Sequence, residues 1–178
     1  MKLQDKILPL IILFISAPAF SPSLLAEPLP PPPTSQSILT ITQRNNIRVV
    51  YDVGSNETEA GVGRALYYIR GVVEAYRKMG LTPKNYHMHV VVHGAAGYWL
   101  LNDENFRKRQ LDPFGMNPNE HILKELQDHG VSIELCSATM REKGWTPADL
   151  LPGVTLVHDA YSRIIDLQLS RHYAYVYF

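Results

Sequence analysis

Between residues 46 and 178 the apolar positions switch repeatedly between a spacing of two and a spacing near 3.6, with glycine or proline at most of the changes. Ile47 to Val53 is rich in β-branched residues and reads as a buried strand. Asn56 with Glu59 three residues on resembles a capping box. Val62, Leu66, Ile69, Val73 and Tyr76 then recur in steps of four and three, which predicts an amphipathic helix ending at Gly80. Tyr86 to Val92 reads as a second strand, followed by a His93-Gly94 turn and a short helix through Leu101. Asn102 to Met116 is polar and lacks clear periodicity, so a long surface loop is expected. Asn117-Pro118-Asn119-Glu120 opens a helix that carries Ile122, Leu123 and Leu126 inward and stops at Gly130.

The next stretch, Val131 to Met140, begins as a strand and ends as a helix, with Cys136 at the junction; it is taken as the central strand. Thr146-Pro147-Ala148-Asp149 caps a single turn, Val154 to Val157 is a strand, and Asp159 caps a helix bearing Ala160, Ile164 and Leu167 on one face. Tyr173 to Phe178 is a final strand with its tyrosines on one face, assigned to core or subunit interface. Strands joined through helices imply an α/β fold, a mostly parallel sheet covered by helices on both faces. Ligands in such folds bind outside the carboxyl ends of the strands. Asp52, His93, Cys136 and His158 lie there, one from each of four strands.

Composition narrows the chemistry. Lys plus Arg and Asp plus Glu both total 17 in 178 residues, which leaves no basic footprint for nucleic acid. A hydrophobic fraction of 46 % is ample for one packed domain. The single cysteine excludes an internal disulfide, a Cys-x-x-Cys redox pair and a cysteine-rich zinc site. His87, His89 and His93 share a strand face, but their span of about 20 Å is too long for one metal ion. Gly61-Val62-Gly63 lacks the third glycine of a dinucleotide fingerprint, and no flavin phosphate loop follows Asp52. No metal and no cofactor is called for.

The amino terminus has its own character. Lys2 and Lys6 precede an apolar run from Ile7 to Ile15, shorter than the roughly 20 residues that a spanning helix needs. A secretory signal over 1–26 is expected, cleaved after Ala26, with Ala17-Pro18-Ala19 as the competing site and an uncleaved anchor as the alternative. Residues 27–45, opened by Glu27-Pro28-Leu29 and four consecutive prolines, form a stiff lead-in, and the domain covers 46–178. Export to the periplasm or medium follows, with no stable membrane span after cleavage.

Cys136 is the candidate nucleophile or sulfur carrier, because a strand end running into a helix start favours thiolate. Its alternative is a small buried hydrophobe. His93 is the candidate base or cationic neighbour, with a turn-ordering histidine as its alternative. Asp52, Gly94, Ser137, Thr139 and His158 are the candidate ligand-binding residues around them.

Val90-Val91-Val92-His93-Gly94-Ala95, Asn117-Pro118-Asn119, Leu135-Cys136-Ser137-Ala138-Thr139-Met140 and Pro147 to Val154 stand in one order. Together with Leu167-Gln168 and Tyr173-Ala174-Tyr175, they resemble the DsrE/DsrF-like family of sulfur-relay proteins. The resemblance implies a three-layer α/β/α fold with a five-stranded parallel sheet, homotrimers or larger rings such as hexamers, and a cysteine that carries persulfide sulfur between a donor and an acceptor protein. Cys136 matches that cysteine, and Thr139 matches the hydroxyl residue three positions later. Ser137 stands where glycine is common, and Arg171-His172 replaces an acidic or Gln residue plus glycine. A non-catalytic oligomeric or small-ligand-binding module is the alternative.

Overall fold

The computed structural model describes residues 40–110 and 115–178. The expected signal segment and most of the proline-rich lead-in lie outside the described residues. Five strands form one sheet: β1 (Ile47–Val53), β4 (Tyr86–Val92), β5 (Val131–Cys136), β6 (Thr155–Val157) and β7 (Ala174–Tyr177). Their order across the sheet is β6-β5-β4-β1-β7, and all four ladders are parallel. The architecture is thus the expected α/β one, with helices on both faces. The middle strand is β4 rather than β5, and this explains its run of Val90, Val91 and Val92: a strand buried on both faces has no side for polar residues.

The two faces are covered unequally. On one, Val49, Tyr51, Val53, Met88, Val90, Val92, Ile133 and Leu135 pack against α1 (Arg64–Lys78) and α3 (Glu120–Asp128). On the other, Val50, Val91 and Cys136 pack against the single helix α5 (Ala160–Arg171) through Ala160, Ile164 and Leu167. Each fully buried aliphatic side chain contributes about 1.5–3 kcal/mol, so the first face carries most of the stability. α5 starts as its sequence predicts, with Asp159 Oδ1 accepting from the Ser162 N–H at 2.9 Å. It ends with His172 in the left-handed conformation (φ 58, ψ 45), the cap position that glycine fills most easily.

Three expectations are corrected. The first helix begins at Arg64, not beyond Asn56, because residues 58–63 form a small hairpin of β2 (Thr58–Glu59) and β3 (Val62–Gly63). Ala60 and Gly61 both have positive φ, 50 and 82, as a two-residue type I′ turn requires. The expected loop after Asn102 contains α2 (Asp103–Gln110). Asn102 Oδ1 accepts from the Asn105 N–H at 3.1 Å, acidic residues occupy the first turn and basic ones the last, and Phe106 docks in the core. The core half of the tyrosine-stripe expectation is corrected, since Tyr175 and Tyr177 are exposed in the single chain and Tyr173 is half-buried, which leaves the subunit-interface half.

α3 begins at Glu120 with Asn119 as its N-cap, two residues later than the expected cap at Asn117, which instead braces the turn before it. Asn117 Oδ1 accepts from the Asn119 N–H at 3.0 Å, while its Nδ2 donates to the carbonyls of Trp99 and Leu101 at 2.8 and 2.7 Å. The segment Gly94–Leu100, a 3-10 helix as the short-helix expectation required, is thereby fastened to α3. No described helix is long and apolar enough to cross a membrane.

Candidate site at the carboxyl ends of the strands

β5 alternates strictly. Val131, Ile133 and Leu135 face the larger core, so Ser132, Glu134 and Cys136 face α5. Cys136 closes the strand in an extended conformation (φ −60, ψ 119), and α4 (Ser137–Glu142) follows directly. The thiol is 4 % exposed and sits among Val50, Val91, Ala160, Ile164 and Leu167, with Val157 and Tyr173 beside the cluster. Ser137 is half-buried. Thr139 is buried, and its Oγ1 accepts from the Gly94 N–H at 2.9 Å, which ties the first turn of α4 to the exit of β4. Gly94 is needed there for its positive φ of 55.

One strand further along, Asp52 and His93 come together. Asp52 Oδ1 lies 2.8 Å from His93 Nε2, and Asp52 Oδ2 accepts from the Tyr175 hydroxyl at 2.7 Å. Register explains the meeting: Asp52 pairs with Val91 on β4 and Tyr177 on β7, so the Asp52, His93 and Tyr175 side chains emerge on the α5 face of neighbouring strands. The His93 ring rests against Gly54, where a Cβ would come within 2.8 Å of Cε1. Tyr161, in the first turn of α5, packs beside the ring at 5.3 Å between centroids.

A second polar group lies under α5 on the other side of β4, where Glu134 shares a register row with Val91 and Asp52. Glu134, 2 % exposed, accepts from Arg163 Nε at 2.8 Å and Nη2 at 3.0 Å, from Ser132 Oγ at 3.1 Å, and meets His89 Nδ1 at 2.5 Å. The other His89 nitrogen is 3.3 Å from the Tyr173 hydroxyl. Burial pushes the Glu134 carboxyl up, but the hydrogen bonds and charge of His89 and Arg163 outweigh it and hold the group at about 2. Sequence reasoning passed over Glu134, Arg163 and Tyr175. The one readable signal was Glu134 itself, a carboxylate between two apolar neighbours in a buried strand. His89 thus belongs to a carboxylate network, and His87 is exposed.

The expected site residues therefore fall in four places, with half-buried Ser137 next to Cys136 at the start of α4. Asp52 and His93 are hydrogen-bonded to each other, and Gly94 and Thr139 likewise. Cys136 lies in the apolar cluster under α5, and no hydrogen bond joins it to His93 among the described residues. His158 lines a cavity of about 400 Å³ at the β6 edge with Glu134, Val157, Asp159 and Arg163, away from the Asp52–His93 pair.

A sequence profile described as the DsrE/DsrF-like family matches residues 63–178, well over half of the chain. The chain belongs to the DsrE/DsrF-like family. The match begins at Gly63, where β3 meets α1, and so includes Cys136, His93 and Tyr175 but not Asp52. Solved structures share the fold. A Methanobacterium thermoautotrophicum protein described as of unknown function, MTH1491, superposes with a TM-score of 0.52 at 21 % identity, covering 75 % of this chain and 100 % of its own. The ychN protein from E. coli superposes with a TM-score of 0.52 at 15 % identity, covering 74 % of this chain and 100 % of its own. Nothing among curated proteins matches significantly.

Proposed function

We propose that this DsrE/DsrF-like protein is an exported sulfur carrier in which Cys136 accepts sulfane sulfur from a donor and passes it to an acceptor. The observation that carries the reading is the position of Cys136, the last residue of β5, leading directly into α4 at the strand ends where α/β folds bind ligands. The thiolate attacks the terminal sulfur of a donor R–S–SH. A new S–S bond forms on Sγ, the donor's S–S bond breaks, and R–SH leaves once it has gained a proton. Sulfur changes carrier with no net oxidation, so no cofactor is needed. With Sγ buried, the donor reaches it by displacing the edge of the α5 cluster near Val157 and Ala160.

The test is intact-mass measurement after polysulfide treatment of the full chain. An adduct in the native protein that is lost in Cys136→Ser supports the carrier. An unmodified protein under conditions that label a free small thiol removes it. Purification from the periplasm or medium with Met1 still present would remove the cleaved signal.

A second reading, a non-catalytic oligomeric module, is favoured by two features. Cys136 is buried among aliphatic side chains, and Tyr161, Ile165 and Leu169 form an exposed i, i+4, i+8 stripe on α5, at 61 %, 53 % and 75 %. We assign this stripe to contacts between copies of the chain, in a trimer or hexamer, under either reading. Sedimentation of the native protein as an oligomer and of Ile165→Lys/Leu169→Lys as a monomer supports the assignment. A monomeric native protein overturns it.

A further inference from the structure

We infer that Cys136 is reached from the β6 edge, through the cavity of about 400 Å³ beneath the first two turns of α5, and that this cavity is the entry chamber for a small sulfane-sulfur compound. The choice of sulfur rests on the sulfur-carrier reading. The route does not.

Register fixes where the cavity lies. Glu134 pairs with Thr155 and Cys136 with Val157, and paired residues of parallel strands share a face, so all four side chains point toward α5. Glu134, Thr155 and Val157 line the cavity together with Asp159, Ser162 and Arg163 from the entry and first turns of α5. The same-face neighbours of Cys136 along β5 and across to β6 are therefore both cavity wall. Adjacent strands lie about 4.8 Å apart, so the thiol stands one strand behind the chamber, with Val157 between. Val157 is only half-buried and belongs to a three-residue strand at the edge of the sheet.

The other approaches are closed. Ala160, Ile164 and Leu167 cover Cys136 from the α5 side, and Val91 and Val50 fill the row toward β1. At the strand ends α4 follows without a gap, and Thr139 fastens its first turn to Gly94 at 2.9 Å. Arg163 closes the inner end of the chamber, with Nε and Nη2 both held by Glu134. The volume is near the lower end of ligand sites, which suits a small molecule and not a folded protein surface. By helical period Asp159 and Arg163 lie on the flank of α5 opposite Tyr161 and Ile165, so contacts between copies through that stripe leave the mouth open.

Cys136 is the one cysteine, so alkylation of the full chain followed by intact mass reads this thiol alone. Two reagents of similar size are compared, neutral iodoacetamide and anionic iodoacetate. The ratio of their rates cancels any change in stability or in thiol reactivity. Thr155 is exposed at the mouth. Thr155→Lys is expected to raise the iodoacetate-to-iodoacetamide ratio about threefold and Thr155→Glu to lower it about threefold, the size a unit charge exerts on a largely hydrated path. Leu156, one residue on, points to the opposite face of the sheet, so Leu156→Lys and Leu156→Glu should leave the ratio unchanged.

A ratio that responds to neither pair means that the thiol is reached by unfolding or from elsewhere, and overturns the route. So does a ratio moved equally by both pairs, or a native thiol that neither reagent labels while a free small thiol reacts. Should the position-155 variants fail to fold, Ser162→Lys and Ser162→Glu, across the mouth on α5, decide by the same criteria. Polysulfide is itself an anion, and its loading of Cys136 is expected to follow iodoacetate across the Thr155 pair. Opposed ratios without a sulfur adduct overturn sulfur as the cargo and leave the route standing. An adduct with unmoved ratios overturns the route and leaves the sulfur carrier standing.

Discussion

Glu134→Gln tests how far the charged group under α5 holds the domain together. The substitution keeps the shape of the side chain but leaves Arg163, a quarter exposed, and His89 facing a neutral amide. In the folded protein burial raises the carboxyl and the hydrogen bonds of His89 and Arg163 more than reverse this, from an ordinary 4.5 to about 2. At about 1.4 kcal/mol per pH unit, that gap makes ionised Glu134 worth about 3 kcal/mol over its protonated form. Removing one partner of a buried ion pair costs roughly 3–5 kcal/mol, and the partial exposure of Arg163 favours the lower end. A deficit of about 3 kcal/mol is therefore expected at neutral pH, read from urea unfolding of native and variant proteins side by side.

The pH dependence provides the sharper check. Because the folded pKa is depressed, the stabilisation is complete above the unfolded value of 4.5 and is lost as pH falls from there through about 2. The native protein should lose this increment over that window, while the variant, with nothing to protonate at position 134, should not. Their difference should shrink steadily toward pH 2. A deficit below about 1 kcal/mol at neutral pH, or one that stays constant down to pH 2, would refute the reasoning.

Asn117→Ala deletes two donated bonds to backbone carbonyls and two accepted bonds from Asn119, all buried, and is expected to cost about 2–4 kcal/mol in thermal or urea unfolding. A loss under about 1 kcal/mol would show that the turn before α3 does not depend on this side chain. Gly63→Ala drives a Cβ to 2.7 Å from the Trp99 ring while φ, at −55, stays ordinary, so its cost of about 1–3 kcal/mol is purely steric. A shifted Trp99 emission should accompany it, and unchanged stability with unchanged emission would contradict the close contact.

The sequence revealed most where period and punctuation agree. Val131 to Cys136 alternates, Gly130 precedes it with φ 75, and a helix follows at once, so both ends of that strand were legible. The hairpin at 58–63 was hidden because two-residue strands are too short to show a period, and a plausible capping box overlapped them. α2 was hidden because a helix whose one buried side chain among the described residues is Phe106 shows no apolar stripe, although its charge order was present. Asp52 and His93 could be assigned to one edge from strand order, but their hydrogen bond could not. That bond depends on a register set across 41 residues and on the space left by Gly54. Tyr175 was out of reach for the same reason, since its partner lies 123 residues away.

The position of β7 beside β1 has a consequence for the order of assembly. β1, β4, β5 and β6 each join a neighbour that is close in the chain, whereas β7 is carried by α5 from the far edge of the sheet to reach β1. Until it does, β1 presents an open ladder edge and Asp52 lacks its phenol donor. A chain lacking β7 would therefore offer that edge as a template for pairing with another chain. One short strand thus does two things at once: it covers the open edge of β1 and supplies Asp52 with its phenol donor.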